Sequence, residues 1–461
     1  MADQFENQGG AATMDPPAPV RWLTSKVLSH VLNPKTQQRR RAKAEAAHRK
    51  TGERHRVEYF HQIDDSYSHL AAQLLRPLLE QYDVDLICHL ATVAHDRNLP
   101  EPELLAQLSR YDCTKIAPHY GLHFPEDAKA PDPKQVDLAS RVLANVAPED
   151  FPEVAVAVGD ALWRGNSTEL DALVTRYGAV SREAAEAKNE SGSQRRAQLK
   201  HYSAGMLYCN GEWYWGPDRF YHLENRLIDS GARRTSSDSL ICPRPPIEAG
   251  PLEDDGSLSL EFYPSLRSPY TSLIFDATVD FARNVGIELV VRPVLPMVMR
   301  GVPVTRMKGM YIMNDSAREA AALGLDWGKH YDPIGEPVRN CYSLFPWARE
   351  QGKGTELLSS FFRAAFFDGV NTNNERGMKH VVENAGLSWD AAKGIMGNKD
   401  WHEELEANRL AMYEFDSWGV PSYRLLDARG HQVLGVWGQD RLWLVAREVQ
   451  RLLAEAQQGA P

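Results

Sequence analysis

Cysteine is scarce in this chain: Cys88, Cys113, Cys209, Cys242 and Cys341 are the only five in 461 residues. They are scattered and odd in number, and no two form C-x-x-C. That removes the usual dithiol redox centre and argues against structural disulfides, so a reducing, cytoplasmic setting is expected. No apolar run approaches the roughly 18 residues that a membrane span needs. The N-terminus has no apolar h-region, so no secretory signal and no membrane partner are expected. A G-x-S-x-G turn is also missing, and no partnered His/Asp set accompanies a serine, which disfavours serine hydrolysis. Metal spacing is poor. His119-x-x-x-His123 would share a helical face, but Pro118 and Gly121 make the stretch a loop, and no metal site is expected.

Positive charge is in deficit and unevenly spread. The net charge is −10, yet residues 1–56 carry an excess of Lys and Arg, including Arg39-Arg40-Arg41. Such a tail is able to touch nucleic acid or anionic lipid. The acidic body favours the plainer reading of a basic, solvated, partly disordered and partly helical leader, with no nucleic-acid partner expected. An apolar fraction of 43% with 25% charged residues is ordinary for a soluble chain, and the length allows two or three domains with proper cores.

What is present is repetition. Trp437-Gly438-Gln439-Asp440-Arg441 has a near copy upstream, Trp215-Gly216-Pro217-Asp218-Arg219. Val57-Glu58-Tyr59-Phe60 through Tyr67 and Leu70 aligns without a gap on Leu260-Glu261-Phe262-Tyr263 through Tyr270 and Leu273. The same offset carries Val84-Asp85-Leu86-Ile87 onto Ile287-Glu288-Leu289-Val290. A fixed offset followed by a shared ending indicates one unit written twice.

Each copy spells the same plan. Val57 to Ile63 alternates as a strand, Ser66 to Tyr82 has helical spacing, and Asp85 to Leu90 reads as a buried strand. For such a β-α-β unit the parallel right-handed crossover is the default. An Ala-, Glu- and Arg-rich section from about 134 to 200 reads as helices. Tyr208 to Trp215 turns at Asn210-Gly211, a strong two-residue hairpin signal, and a helix follows from about Asp218 to Ile228. In the second copy, strand 258–264, helix 269–284 and strand 287–292 lead into helices over 315–325, 355–368, 375–386, 388–396 and 400–416. A hairpin at 421–437 and a helix over 440–456 close it. The predicted fold class is α/β, with two tandem thioredoxin-like domains, each interrupted by a helical insertion. The divisions are a leader, 1–56; a first domain, 57–232; a linker rich in Ser, Pro and acidic residues, 233–257; and a second domain, 258–461.

Candidate chemistry lies in the second copy. Ser268 before Pro269 suits a helix start, since Ser is a preferred N-cap and Pro a preferred first helical residue. The same hydroxyl, with free N–H groups at a helix N-terminus, also stabilises an anion such as a bound thiolate. Pro421, in Gly419-Val420-Pro421-Ser422, begins a strand at a permitted edge position. Asp440 follows Gly438 at a strand-to-helix turn, where a cap is the plain role. Arg441 would sit in the first helical turn, against the dipole unless it has an acidic partner.

Phe262-Tyr263 with Ser268-Pro269-Tyr270, then Gly419-Val420-Pro421 and Trp437-Gly438-Gln439-Asp440-Arg441, closely resemble the 2-hydroxychromene-2-carboxylate isomerases. These are grouped with kappa-class glutathione transferases in the DsbA-like thioredoxin superfamily. Lys308-x-x-Tyr311-x-x-x-Asp315-x-x-Arg318 also resembles that family's first insertion helix. The resemblance covers about 258–456 well and 57–231 more weakly. It implies a glutathione site in which Ser268 hydrogen-bonds the glutathione sulfur. Val420, before a cis Pro421, pairs its backbone with the tripeptide, and Gln439 and Asp440 hold the γ-glutamyl end. Lys308, Tyr311 and Tyr270 would face a small organic substrate, Lys308 as the counter-ion of a carboxylate. Kappa-class relatives pair as dimers, so an intramolecular pseudo-dimer or a homodimer is implied.

The first copy departs from this pattern. Asp65 stands where Ser268 stands, and an anion there would repel a thiolate. Ser66 replaces Pro269, Pro217 replaces Gln439, and Ala204-Gly205-Met206-Leu207 offers no proline. The leading expectation is a glutathione-dependent isomerase or transferase with a degenerate first domain. The alternatives are a thiol-disulfide oxidoreductase of the same superfamily, which the lack of C-x-x-C opposes, and a non-catalytic binding protein.

Overall fold

The computed structural model describes residues 15–93, 98–236, 238–302 and 304–459. The chain divides into two units, one of Arg40–Pro245 and one that joins the residues up to Arg39 with those from Pro246 onward.

In the Arg40–Pro245 unit, β1 (His55–His61) lies between β2 (Val84–Leu90) and β3 (Met206–Cys209), and β4 (Glu212–Trp215) closes the edge. β1 and β2 run parallel, and the other pairs are antiparallel. Val57, Tyr59 and Phe60 are fully buried, as a strand covered on both faces requires. Asn210 and Gly211 both take positive φ, 44° and 90°, the conformation a two-residue hairpin turn needs. The helix expected over 66–82 is two helices, Ser66–Ala72 and Leu75–Gln81. Pro77 explains the break, because in a continuous helix its ring would collide with the Gln73 carbonyl. Four helices fill the Ala-rich section, Pro133–Leu143, Phe151–Trp163, Ser167–Tyr177 and Arg182–Gln198. Pro102–Ile116 is a further helix that the sequence reading did not anticipate.

In the other unit the strand order is the same: β6 (Glu288–Val291), β5 (Leu258–Tyr263), β7 (Ser422–Asp427) and β8 (Gln432–Trp437). β5 and β6 are parallel, and β5–β7 and β7–β8 antiparallel. The offset between copies reappears in the pairing: Val57 faces Leu86 as Leu260 faces Leu289. Pro269–Val285 packs behind this sheet and is closed by Gly286 at φ 79°. The insertion contains Arg306–Ala322, which starts earlier than the expected 315, and Glu336–Glu350, which was not expected. Pro337 and Pro346 obscured the second of these. The former takes a tolerated first-turn place, and the latter lies inside the helix.

Two stretches outside the sheets gain detail. Within the leader expected over 1–56, Ala18–Leu32 and Pro34–Arg49 are helical, and residues 1–14 lie outside the described residues. Arg21 is buried in the C-terminal unit, and its guanidinium donates to the carbonyls of Asp332 and Ile334 at 2.7 Å each. The Ser25 hydroxyl accepts from the Asp332 N–H at 3.0 Å. The stretch 233–257, expected as a linker, has no helix or strand among its described residues but is tied down by side chains. Glu224 accepts from the N–H groups of Ile241 and Cys242 in the Arg40–Pro245 unit. Gln450 exchanges two hydrogen bonds with Leu252 in the other unit.

Candidate functional site

β5 runs into a short loop that ends at Ser268, the N-cap of Pro269–Val285. The Ser268 hydroxyl accepts from the Thr271 N–H at 3.1 Å, as helix capping requires. It also points its own proton at the Val420 carbonyl oxygen, 3.5 Å away. Val420-Pro421 is a cis peptide bond. Val420 packs on a small apolar cluster of Tyr263, Val294, Met412 and Phe415. The capping hydroxyl and the cis-proline loop, 152 residues apart in sequence, therefore meet above the end of β5.

Two glycines let the remaining motif close on this point. The Trp437 indole lies so close to Gly419 that an added Cβ would meet it at 2.3 Å. The same indole lies against Trp418, ring centroids 5.2 Å apart. The Gly438 N–H donates to the Pro421 carbonyl at 2.9 Å, so the Trp437–Arg441 turn hangs from the cis-proline. Gly438 itself has φ 131°, and a Cβ there would strike Asp440 Oδ1 at 2.4 Å. The Asp440 carboxylate thus folds back over its own turn, 3.5 Å from the Arg441 guanidinium. Arg441, expected in the first helical turn, instead precedes the helix Leu442–Gly459, with Asp440 as its acidic neighbour.

The insertion helix Arg306–Ala322 brings the other candidates. Thr305 caps it by accepting from the Lys308 N–H at 3.2 Å. The Lys308 ammonium sits 5.9 Å from the Trp418 ring centroid, a cation–π arrangement. Tyr270 donates to Asp315 at 2.8 Å, and Asp315 pairs with Arg318 at 2.6 Å. The Tyr311 hydroxyl is buried. Gln439, buried as well, donates its amide to Glu319 at 2.7 Å. The sequence reading assigned Gln439 to a ligand end and did not foresee Glu319. Nor did it foresee Arg267, next to Ser268, which grips Asp332 through two hydrogen bonds of 2.8 and 2.9 Å. Burial works to raise the Asp332 pKa, but Arg267 outweighs it and holds the carboxylate well below its usual range.

The equivalent corner of the Arg40–Pro245 unit is built differently. Phe60 pairs with Met206 as Tyr263 pairs with Ser422, which places Gly205 where Pro421 stands. Asp65 takes the cap position, accepting from the Ser68 N–H at 2.8 Å and hydroxyl at 2.6 Å. Burial pushes its pKa up to about 6, against those hydrogen bonds. Tyr67 donates to Asp112 at 2.7 Å, as Tyr270 does to Asp315. Asp218 accepts from Tyr120 at 3.0 Å.

The chain's own thiols are largely withdrawn from solvent. All five cysteines are free, four buried and Cys88 half-buried. Burial pushes the thiols of Cys88, Cys242 and Cys341 up, and that of Cys209 to about 12. A resident thiolate nucleophile is therefore disfavoured.

No curated protein matches the chain. Among solved structures, a selenomethionine 2-hydroxychromene-2-carboxylate isomerase is 19% identical, covering 44% of this chain and 99% of its own, with a TM-score of 0.36. A probable DsbA oxidoreductase from Streptomyces coelicolor is likewise 19% identical, covering 44% of this chain and 92% of its own, with a TM-score of 0.33. Residues 259–450 match the family model of the DSBA-like thioredoxin domain, so the C-terminal half of this chain carries a DsbA-like thioredoxin fold.

Proposed function

We propose that the unit containing Ser268 is a glutathione-dependent isomerase or transferase acting on a small organic molecule, an aromatic carboxylate being the class that Lys308 suits. One observation carries this reading: a helix-capping hydroxyl, Ser268, lies against the carbonyl of the cis Val420-Pro421 bond. Such a corner offers an external thiolate the N–H groups and positive end of a helix. It also offers an extended tripeptide the backbone edge at Val420. Asp440 is the acceptor for an ammonium group beside that edge. Held there by Ser268, Val420, Gln439 and Asp440, glutathione would supply a thiolate able to add reversibly to an unsaturated carbon conjugated with a carbonyl, the chemistry that permits bond rotation or ring reopening.

The Arg40–Pro245 unit is, in this reading, a second thioredoxin-like copy without the thiolate site, because Asp65 and Gly205 replace Ser268 and Pro421. A tandem of this kind is able to act as an intramolecular pseudo-dimer or within a homodimer. Free, buried thiols suit a reducing cytoplasm. The oxidoreductase reading has no exposed thiol pair to support it. Retention of the whole protein on immobilised glutathione, with elution by free glutathione, tests the proposal. Failure to bind leaves a non-catalytic binding protein, and turnover of insulin disulfides would favour the oxidoreductase.

A further inference from the structure

We propose that His69, His123 and Asp160 in the Arg40–Pro245 unit bind a divalent cation of the zinc class. Each offers one ligand atom, and the three atoms lie within 4.8 Å of one another; among the described residues no other group of three His, Cys, Asp or Glu side chains does so. Zinc bonds of about 2.0–2.1 Å in tetrahedral geometry place ligand atoms about 3.3 Å apart. Here Asp160 Oδ1 lies 3.6 Å from His69 Nε2 and 2.7 Å from His123 Nε2. Shifts of a few tenths of an ångström to about half an ångström bring both to bonding positions.

His69 makes the case beyond simple proximity. It is buried, 1% exposed, and neither ring nitrogen has a hydrogen-bond partner. The 3.6 Å to Asp160 is too long for a hydrogen bond. A buried imidazole left unsatisfied costs stability unless something pairs with it, and a cation at Nε2 does. Gly159 admits this ring, since a Cβ there would sit 2.1 Å from His69 Nδ1. Asp160, the next residue on Phe151–Trp163, is thereby brought alongside Nε2.

The third ligand is held in advance. Gln73, one helical turn after His69, exchanges two hydrogen bonds with the His123 backbone at 2.9 and 3.0 Å. This is the outer support a metal-binding histidine needs, and the helix break caused by Pro77 falls beside it. His123 is half exposed, with 50% of its side chain open, so the fourth coordination position faces solvent and takes water. The Arg164 guanidinium, 3.9 Å from Asp160 Oδ1, is itself half exposed and free to swing outward. In the other unit the position equivalent to His69 is Ser272, which accepts from the Trp327 indole. The site therefore belongs to the unit that lacks the thiolate corner. Its imidazole donors select zinc over magnesium or calcium.

Titration of the chelator-stripped whole chain with zinc against a chromophoric competitor tests this, with magnesium as control. One zinc ion per chain is expected. Loss of outer support already costs about 10- to 100-fold, so losing a ligand in His123→Gln or Asp160→Asn should cost at least about 100-fold. Gln73→Ala should fall between these variants and wild type. Cobalt substitution should give the absorption of a tetrahedral site, absent in Asp160→Asn, which keeps the test usable if zinc binding proves too tight to rank. No zinc uptake by the wild type, or wild-type affinity in either ligand variant, would overturn the proposal. The second result would assign the ion to others of the chain's 15 histidines.

Discussion

At the scale of single residues, the corner built by Ser268 and Pro421 was legible because both cues are local. Ser before Pro spells a helix start, and an X-Pro before an alternating run spells a strand start. What Ser268 touches was not legible, since Val420 is 152 residues away. For the same reason Glu319 was missed as the partner of Gln439, 120 residues apart. The hydroxyl's double engagement sets the expected behaviour of Ser268→Ala. Loss of the cap costs about 1 kcal/mol, small for a unit of this size, so the fold persists. With glutathione bound, the variant should show a raised thiol pKa but not a lost thiolate, since the helix N-terminus remains. Ultraviolet absorbance of the bound thiolate against pH measures it, and an unchanged titration would reduce Ser268 to a cap. Asp440→Ala should weaken glutathione binding roughly 10- to 150-fold, the worth of about 1.5–3 kcal/mol for a hydrogen bond to a charged group. Asp218→Ala, which removes a carboxylate already taken by Tyr120, should change it little. Calorimetric titration of both variants separates them.

At the scale of elements, periodicity and turn signals located the strands, and proline hid the exceptions. Pro77 split one expected helix, while Pro337 and Pro346 concealed another that tertiary packing maintains. The strand β1 also carries a charge whose role no periodicity reveals. Glu58 is buried beside Arg195, which donates to it at 2.8 and 2.6 Å, and His89 at 3.0 Å. Burial works to raise its pKa, but Arg195 and His89 outweigh that and bring it from 4.5 to about 2. A depressed carboxylate stabilises the fold fully above its unfolded pKa, and that contribution is lost as pH falls from about 4.5 toward 2. Asp65, raised to about 6, runs the other way: its contribution is whole below 3.8 and fades as pH rises through 6. Comparison with a variant therefore isolates Glu58. Glu58→Gln should lower stability at pH 7 by on the order of 2–3 kcal/mol and by much less at pH 3. Urea unfolding midpoints of the two proteins at both pH values measure the difference, and an equal gap at both would remove the ion pair as its source.

At the scale of the whole molecule, the repeated offset was legible because it is written in residue identity, and the two sheets carry it in their pairing. The destination of the N-terminal helix was not. Ala18–Leu32 shows four large apolar side chains to solvent, Val20, Trp22, Leu23 and Val27, and anchors itself through a buried arginine, the reverse of the pattern that marks a packed helix. Among its contacts is Asp332, which in turn holds Arg267 beside the helix-capping Ser268. A fragment of residues 250–461 keeps every proposed glutathione residue but loses this helix. It strips Arg21 from the Asp332 and Ile334 carbonyls and uncovers the surface over Leu32's partner Gly328. Calorimetry on the whole chain should give one glutathione per chain, because Ser268, Pro421 and Gln439 are replaced by Asp65, Gly205 and Pro217 in the Arg40–Pro245 unit. The fragment should bind at the same stoichiometry but more weakly, and melt several degrees lower. Adding Arg21→Met to the whole chain should reproduce part of both losses. Two equal sites in the whole chain would contradict the asymmetry between the units. A fragment as stable and as tight as the whole chain would mean that the N-terminal helix lends nothing to the site.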